Sequence, residues 1–121
     1  MAKVFAHQRK STLALRHRRA ALVHQLKVPP ALLRASVVER FGTCGSPTCR
    51  CRSGHKHGPY YYLTQCLAPG KIRKFLLKTE ATLQAARRGT AAFNEFYDQL
   101  EELSQINTEL LRRGEELDPK A

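Results

Sequence analysis

Three thiols and two imidazoles fall within fourteen residues, in the string Cys44-Gly45-Ser46-Pro47-Thr48-Cys49-Arg50-Cys51-Arg52-Ser53-Gly54-His55-Lys56-His57. A stretch so rich in Gly, Pro and Ser lacks the apolar periodicity of a helix or strand, so its order has to come from something other than a core. Thiolates and imidazoles at the spacing C-x4-C-x-C-x5-H select a tetrahedral divalent ion, and zinc before others. We therefore read the segment as a Cys3His knuckle around structural zinc, with Cys44, Cys49 and Cys51 as thiolate ligands. His57 suits the fourth position because Gly58-Pro59 leads from it into the apolar run from Tyr60 to Leu63, so the ion would pin the start of a strand. His55 is the alternative. A four-thiolate site would use Cys66, which alternation along the following strand makes a small packing side chain instead.

Other thiol chemistry fits less well. No apolar stretch follows Met1, so a reducing compartment is expected, and Cys49 and Cys51 stand too close in sequence to pair comfortably as a disulfide. Four protein ligands close the coordination shell and leave no position for water or substrate, which points to folding support and away from catalysis. His55-x-His57 followed by Tyr60 to Tyr62 also lacks nearby acidic ligands, since no Asp or Glu lies between Glu39 and Glu80. The chain is not expected to be an enzyme.

With 121 residues there is room for one small domain and an extended helix, and a core of that size profits from a metal staple. Net charge is +11, and its distribution is uneven: residues 1–92 carry eighteen Lys and Arg against two acids, whereas residues 93–121 carry three against eight. A basic body with an acidic end is what a polyanion partner rewards through counterion release. No run of eighteen apolar residues exists, so no membrane span is expected and a cytoplasmic, nucleoid-associated protein is.

The expected fold class is α+β: an N-terminal basic helix, a small antiparallel three-stranded sheet built around the knuckle, and a long C-terminal helix. Segments 1–35, 36–78 and 79–121 divide the chain accordingly. The first helix, roughly Gln8 to Lys27, carries Leu13, Leu15, Leu22, Val23 and Leu26 and stops before Pro29-Pro30. Ser36 to Phe41 reads as a strand, and Tyr60 to Leu67 with Lys71 to Lys78 reads as a hairpin turned at Ala68-Pro69-Gly70. Alternation makes Tyr61, Leu63, Phe75 and Leu77 the core face and leaves Tyr60, Tyr62, Thr64, Lys74 and Lys78 on the other, near Arg40. Thr79 is the expected N-cap of the last helix, with helical character resuming after Gly89 through about Arg113.

Aromatic rings among bases suit nucleic acid, since rings stack on bases while ammonium and guanidinium groups meet phosphates. The expected contact residues are Arg16, Arg18 and Arg19 on the helix, Arg40, Arg50, Arg52 and Lys56 around the knuckle, and Tyr60, Tyr62, Lys71, Arg73, Lys74 and Lys78 on the hairpin. Farther on, Phe93, Phe96, Leu100, Leu103, Asn107, Leu110, Gly114 and Leu117 step by three and four. Phe96, Leu100, Leu103, Asn107 and Leu110 thus form a short heptad seam for a homodimer or for packing on the chain's own N-terminal helix.

From Arg40 through Leu77, the chain resembles a family of short uncharacterised bacterial proteins from transposable elements. The resemblance lies in Cys44-Gly45-Ser46-Pro47-Thr48-Cys49-Arg50-Cys51, His57-Gly58-Pro59-Tyr60-Tyr61-Tyr62-Leu63 and Gly70-Lys71 before a basic strand. It carries over Cys44, Cys49, Cys51 and His57 as the metal ligands. Phe41-Gly42-Thr43 departs from it, standing where the family more often has a Tyr and a basic residue. What the resemblance implies is a mobile-DNA context and an associated recombinase or transposase. The expected function is a zinc-stabilised binder of double-stranded DNA serving such an element; the alternative is an adaptor whose acidic helix binds the recombinase while the basic body holds DNA without sequence preference.

Overall fold

In a computed structural model that describes residues 4–118, the chain is α+β, with two α-helices and one three-stranded antiparallel sheet. Helix α1 spans Thr12–Gln25, strand β1 Ser36–Gly42, β2 His57–Ala68, β3 Lys71–Leu76 and helix α2 Glu80–Arg112; a single 3-10 turn covers Arg50–Ser53. The sheet order is β1-β2-β3. Contacts divide the chain into two compact units, one made of the residues up to Pro30 and from Asn94 on, the other of Ala31–Phe93. Helix α2 contributes its first half to the second unit and its remainder to the first.

The second unit is organised by strand alternation. Val37 pairs with Leu63 and Glu39 with Tyr61 across β1 and β2, and Leu63 pairs with Phe75 across β2 and β3, so these side chains share one face. That face packs on α2: Leu63, Leu77, Leu83 and Ala86 are buried together, with Leu33, Ala35, Val37 and Tyr61 against them. Phe75, expected in this core, is 46 % exposed. It lies on an outer strand, which has a neighbour on one side only.

Helix α2 begins where Thr79 predicts, its hydroxyl accepting from the Thr82 amide at 3.1 Å. Gly89 does not interrupt it. The glycine is buried because the extended segment before β1 crosses the helix there, the Leu33 amide donating to the Gly89 carbonyl at 3.0 Å. A Cβ at this position would stand 2.7 Å from both the Ala31 carbonyl oxygen and the Leu33 side chain. Close approach, not helix breaking, is the use of this glycine.

The first unit pairs α1 with the second half of α2. Ser11 caps α1, its hydroxyl accepting from the Ala14 amide at 3.1 Å. Leu15 and Leu22, one heptad apart, are fully buried against Ile106 and Leu110, with Leu103 and Leu117 alongside. Leu103 and Leu110 thus pack on the chain's own α1, one of the two partners expected for the seam. Beyond Arg112 the chain turns through Gly114, the Glu115 amide donating to the Leu110 carbonyl at 2.9 Å, so Gly114 and Leu117 lie outside the helix. Leu13 and Val23, on the opposite side of α1, are exposed.

Charge also ties this unit together. Arg18 clasps Glu102 with two hydrogen bonds of 2.6 and 2.8 Å, and Glu109 receives Arg112 and Arg113 at 2.6 and 2.7 Å. Arg113 also donates to the Lys10 carbonyl at 2.7 Å and to the Thr12 hydroxyl at 3.2 Å. Nearby, His7 is 3 % exposed, its ring stacked on Phe5 with no hydrogen-bond partner at either nitrogen.

Gly89→Ala sets a gain in helix propensity of about 1 kcal/mol against overpacking costs of about 1–3 kcal/mol. Since one of the clashing atoms is backbone, the clash should prevail, and a lower thermal midpoint than wild type is the expected outcome. Acid should weaken the first unit in two stages. Burial lowers the His7 pKa from its ordinary 6.5, Arg18 lowers that of Glu102, and Arg112 with Arg113 lowers that of Glu109 to about 2. Each group binds fewer protons folded than unfolded, so its contribution is present at neutral pH and lost as pH falls, through His7 below about pH 6.5 and through the carboxylates from about 4.5 down to about 2. Thermal melts from pH 7 to 3 should show a falling midpoint, and Glu109→Gln should flatten the lower stage.

Candidate metal centre and the adjoining sheet face

The loop between β1 and β2 contributes no apolar cluster of its own; what it gathers is donors. The thiols of Cys44, Cys49 and Cys51 and the imidazole of His57 place their ligand atoms within 4.8 Å of one another. Cys44 Sγ lies 3.6 Å from Cys51 Sγ, and Cys49 Sγ lies 3.1 Å from His57 Nε2. Metal–sulfur and metal–nitrogen bonds of about 2.3 and 2.0 Å in a tetrahedron would hold such pairs roughly 3.8 and 3.6 Å apart, so small adjustments admit an ion. The donor set therefore fits a metal.

Local structure explains the convergence. The 3-10 turn lifts Cys51 into the interior of the loop, where it is 2 % exposed, and its Sγ accepts from the Cys44 amide at 3.2 Å. Arg52 ties the turn back through a 3.1 Å hydrogen bond to the Ser46 carbonyl. His57 opens β2 and pairs with Gly42 across a shift in register at the end of β1, so the ligand is held by the sheet. Gly58 makes that junction feasible: its φ of +141° suits a residue without a side chain, and a Cβ would stand 2.7 Å from the Phe41 ring and 2.9 Å from the Arg40 carbonyl. His55 and Cys66 lie outside the cluster, and Cys66 is exposed on the sheet.

Hydrogen bonding prepares the thiols unequally. The Cys51 amide, helped by the Cys44 and Cys51 thiols and His57, lowers the Cys49 thiol to about 6, so it is mainly thiolate at neutral pH. At Cys51 the Cys44 amide lowers the value, but burial and the neighbouring thiols outweigh it and the net shift is upward.

Beside the cluster, the sheet turns its other face outward. Register places Val38 opposite Tyr62, Arg40 opposite Tyr60, Thr64 opposite Lys74, and Tyr62 opposite Leu76 on it. Glu39 sits on the helix-covered face, so this face carries no carboxylate. A groove of about 400 Å³ runs from Tyr60, Tyr62 and Lys74 past Arg40, Phe41 and Thr43 to Cys44 and His57. The Lys74 ammonium stands 4.6 Å over the Tyr62 ring.

The chain belongs to a family of unknown function, DUF6788. The family model, described as a domain of unknown function, matches residues 12–85, from α1 into the second turn of α2. No curated protein and no solved structure matches the chain. The DUF6788 region contains all four donors of the cluster and every residue of the groove.

Of the residues expected to contact nucleic acid, Arg40, Tyr60, Tyr62 and Lys74 come together on the groove. Arg50, Arg52, Lys56, Lys71 and Lys78 are exposed elsewhere on the same unit. Arg73, paired with Gln65, falls on the opposite face. Arg16, Arg18 and Arg19 belong to the other unit and already hold in-chain partners: Arg16 the Glu116 carbonyl and Glu115, Arg18 Glu102, Arg19 the Leu117 carbonyl. These bonds engage the arginines within their own unit, with Arg16 and Arg18 still part-exposed. Phe41 and Thr43 also line the groove and were missed; an aromatic three residues before the first cysteine was the available signal.

Metal analysis of the purified protein is expected to find one ion per chain. His57→Ala should lose it and His55→Ala should keep it, and acid should release it, since thiolates and imidazole must shed protons to bind.

Proposed function

We propose that the chain is a zinc-stabilised DNA-binding protein, an accessory factor of a mobile genetic element that acts with a recombinase or transposase. The observation that carries the binding reading is the outward sheet face, free of carboxylates and lined with rings and cations, beside the metal cluster. Charge supports it: residues 31–93 hold eleven Lys and Arg against Glu39 and Glu80, +9 of the chain's +11. Zinc is the ion that three thiolates and one imidazole favour, and four protein donors give it a structural role with no open coordination site. The mobile-element context and the partner enzyme rest on the motif resemblance.

An adaptor working through the acidic helix draws less support, because Glu102 and Glu109 are already bonded inside the chain. A DNA-bound accessory factor would work at the nucleoid, and no helix among the described residues is long and apolar enough to cross a membrane.

A mobility-shift titration of the zinc-loaded full chain on duplex DNA tests this reading. Affinity should fall with salt at about 0.9 logarithmic units per phosphate neutralised, and Arg40→Gln or Lys74→Gln should each reduce that slope by about one. Lack of binding at low salt would refute the proposal.

A further inference from the structure

The groove beside the metal cluster is lined by more ring than charge. Three aromatic side chains, Phe41, Tyr60 and Tyr62, meet there with two cations, Arg40 and Lys74. Phe41 is 54 % and Tyr60 41 % exposed, so both rings are open to a ligand in the groove. The same face continues through Ile72, 66 % exposed, opposite Cys66. Of the ten strand residues that register assigns to this face, from Ser36 to Leu76, only two are charged.

A duplex draws mainly on the cations of such a surface. Its bases are stacked inward and its outside is phosphate, so rings on a sheet reach its bases only at the cost of opening the stack. Unpaired nucleotides present both elements: bases whose faces stack on aromatic side chains, and phosphates that meet the interleaved cations. The groove's volume, about 400 Å³, falls in the range of about 300–1,000 Å³ typical of small-molecule sites, the scale of a nucleotide and far below that of a helix. Lys74 stands 4.6 Å over the Tyr62 ring, so its ammonium covers that ring and leaves Phe41 and Tyr60 as the rings open to stacking.

We propose that this face is a single-strand site, in which Phe41 and Tyr60 stack on unpaired bases while Arg40 and Lys74 take the adjoining phosphates. The proposal rests on the nucleic-acid reading above and narrows it: the protein engages an opened or frayed strand, and its hold on duplex is the weaker, charge-driven one.

Fluorescence anisotropy with the zinc-loaded full chain and labelled oligonucleotides tests it, using one sequence as single-stranded DNA, single-stranded RNA and duplex DNA over a range of salt. The single strand should bind more tightly than the duplex, and the margin should widen as salt rises because stacking is not screened. Phe41→Ala and Tyr60→Ala should each weaken single-strand binding about tenfold with the salt slope unchanged and leave duplex binding nearly untouched. The RNA arm reports whether the sugar hydroxyl is read. A readout on the unaltered protein guards against misfolded variants: the chain has four tyrosines and no tryptophan, so quenching of tyrosine emission by the single strand and not by the duplex reports stacking directly. Equal affinity for duplex at every salt, or ring substitutions without effect and no quenching, would overturn the single-strand site and leave the charge-driven reading standing. No binding to any of the three would overturn both.

Discussion

The meeting of three thiols and one imidazole between β1 and β2 is what the second unit depends on. The loop from Thr43 to Lys56 buries only Cys51, so no hydrophobic gain offsets the entropy of ordering it. Donor atoms within 4.8 Å of one another supply the missing constraint once an ion joins them. Because His57 is also the first residue of β2, that constraint passes directly into the sheet. Register then carries it onward, fixing Arg40 opposite Tyr60 and Val38 opposite Tyr62.

The two units handle charge in opposite ways. In the first, bases and acids are nearly balanced and are spent on each other: Arg18 on Glu102, Arg112 and Arg113 on Glu109, Arg16 and Arg19 on the segment after α2. Where the carboxylate is buried, desolvation opposes its charge, and the bonded guanidinium outweighs it, holding Glu102 and Glu109 ionised. In the second unit the cations greatly outnumber the acids and most face solvent. Self-repulsion of that kind is a standing cost to the folded state, and an anionic ligand is what relieves it.

Much of this was legible in the chain. The donor cluster was readable because its chemistry is local and its spacing short, and the three strands because period-two alternation survives in Val37, Tyr61 and Leu63. Thr79 was readable as a cap for the same local reason. What could not be read depended on distant partners. Gly89 has the signature of a helix interruption, yet the Ala31–Leu33 segment presses on it and the helix runs through. Leu103 and Leu110 have the spacing of a seam whether the partner is a second copy or α1, and periodicity does not distinguish the two. Arg16, Arg18 and Arg19 form a basic cluster in sequence, but their partners lie more than eighty residues away. Phe75 obeys the alternation and still escapes burial, because alternation assigns a face without saying how far the covering helix extends.

The first unit is assembled from both ends of the chain, and this has a consequence for synthesis. Residues 31–93 are contiguous, so every strand, every metal donor and the first turns of α2 are available before the rest of α2 is made. Helix α1 comes earlier still, but Leu15 and Leu22 have no counterpart until Ile106 and Leu110 appear. During translation the basic α1 therefore waits, with its two apolar anchors unshielded and its arginines without their carboxylates. The unit that carries the donor cluster is contiguous in sequence and is made in full while α1 is still unpaired, and arrival of the later acidic residues finishes the other core and gives Arg16 and Arg18 their carboxylates.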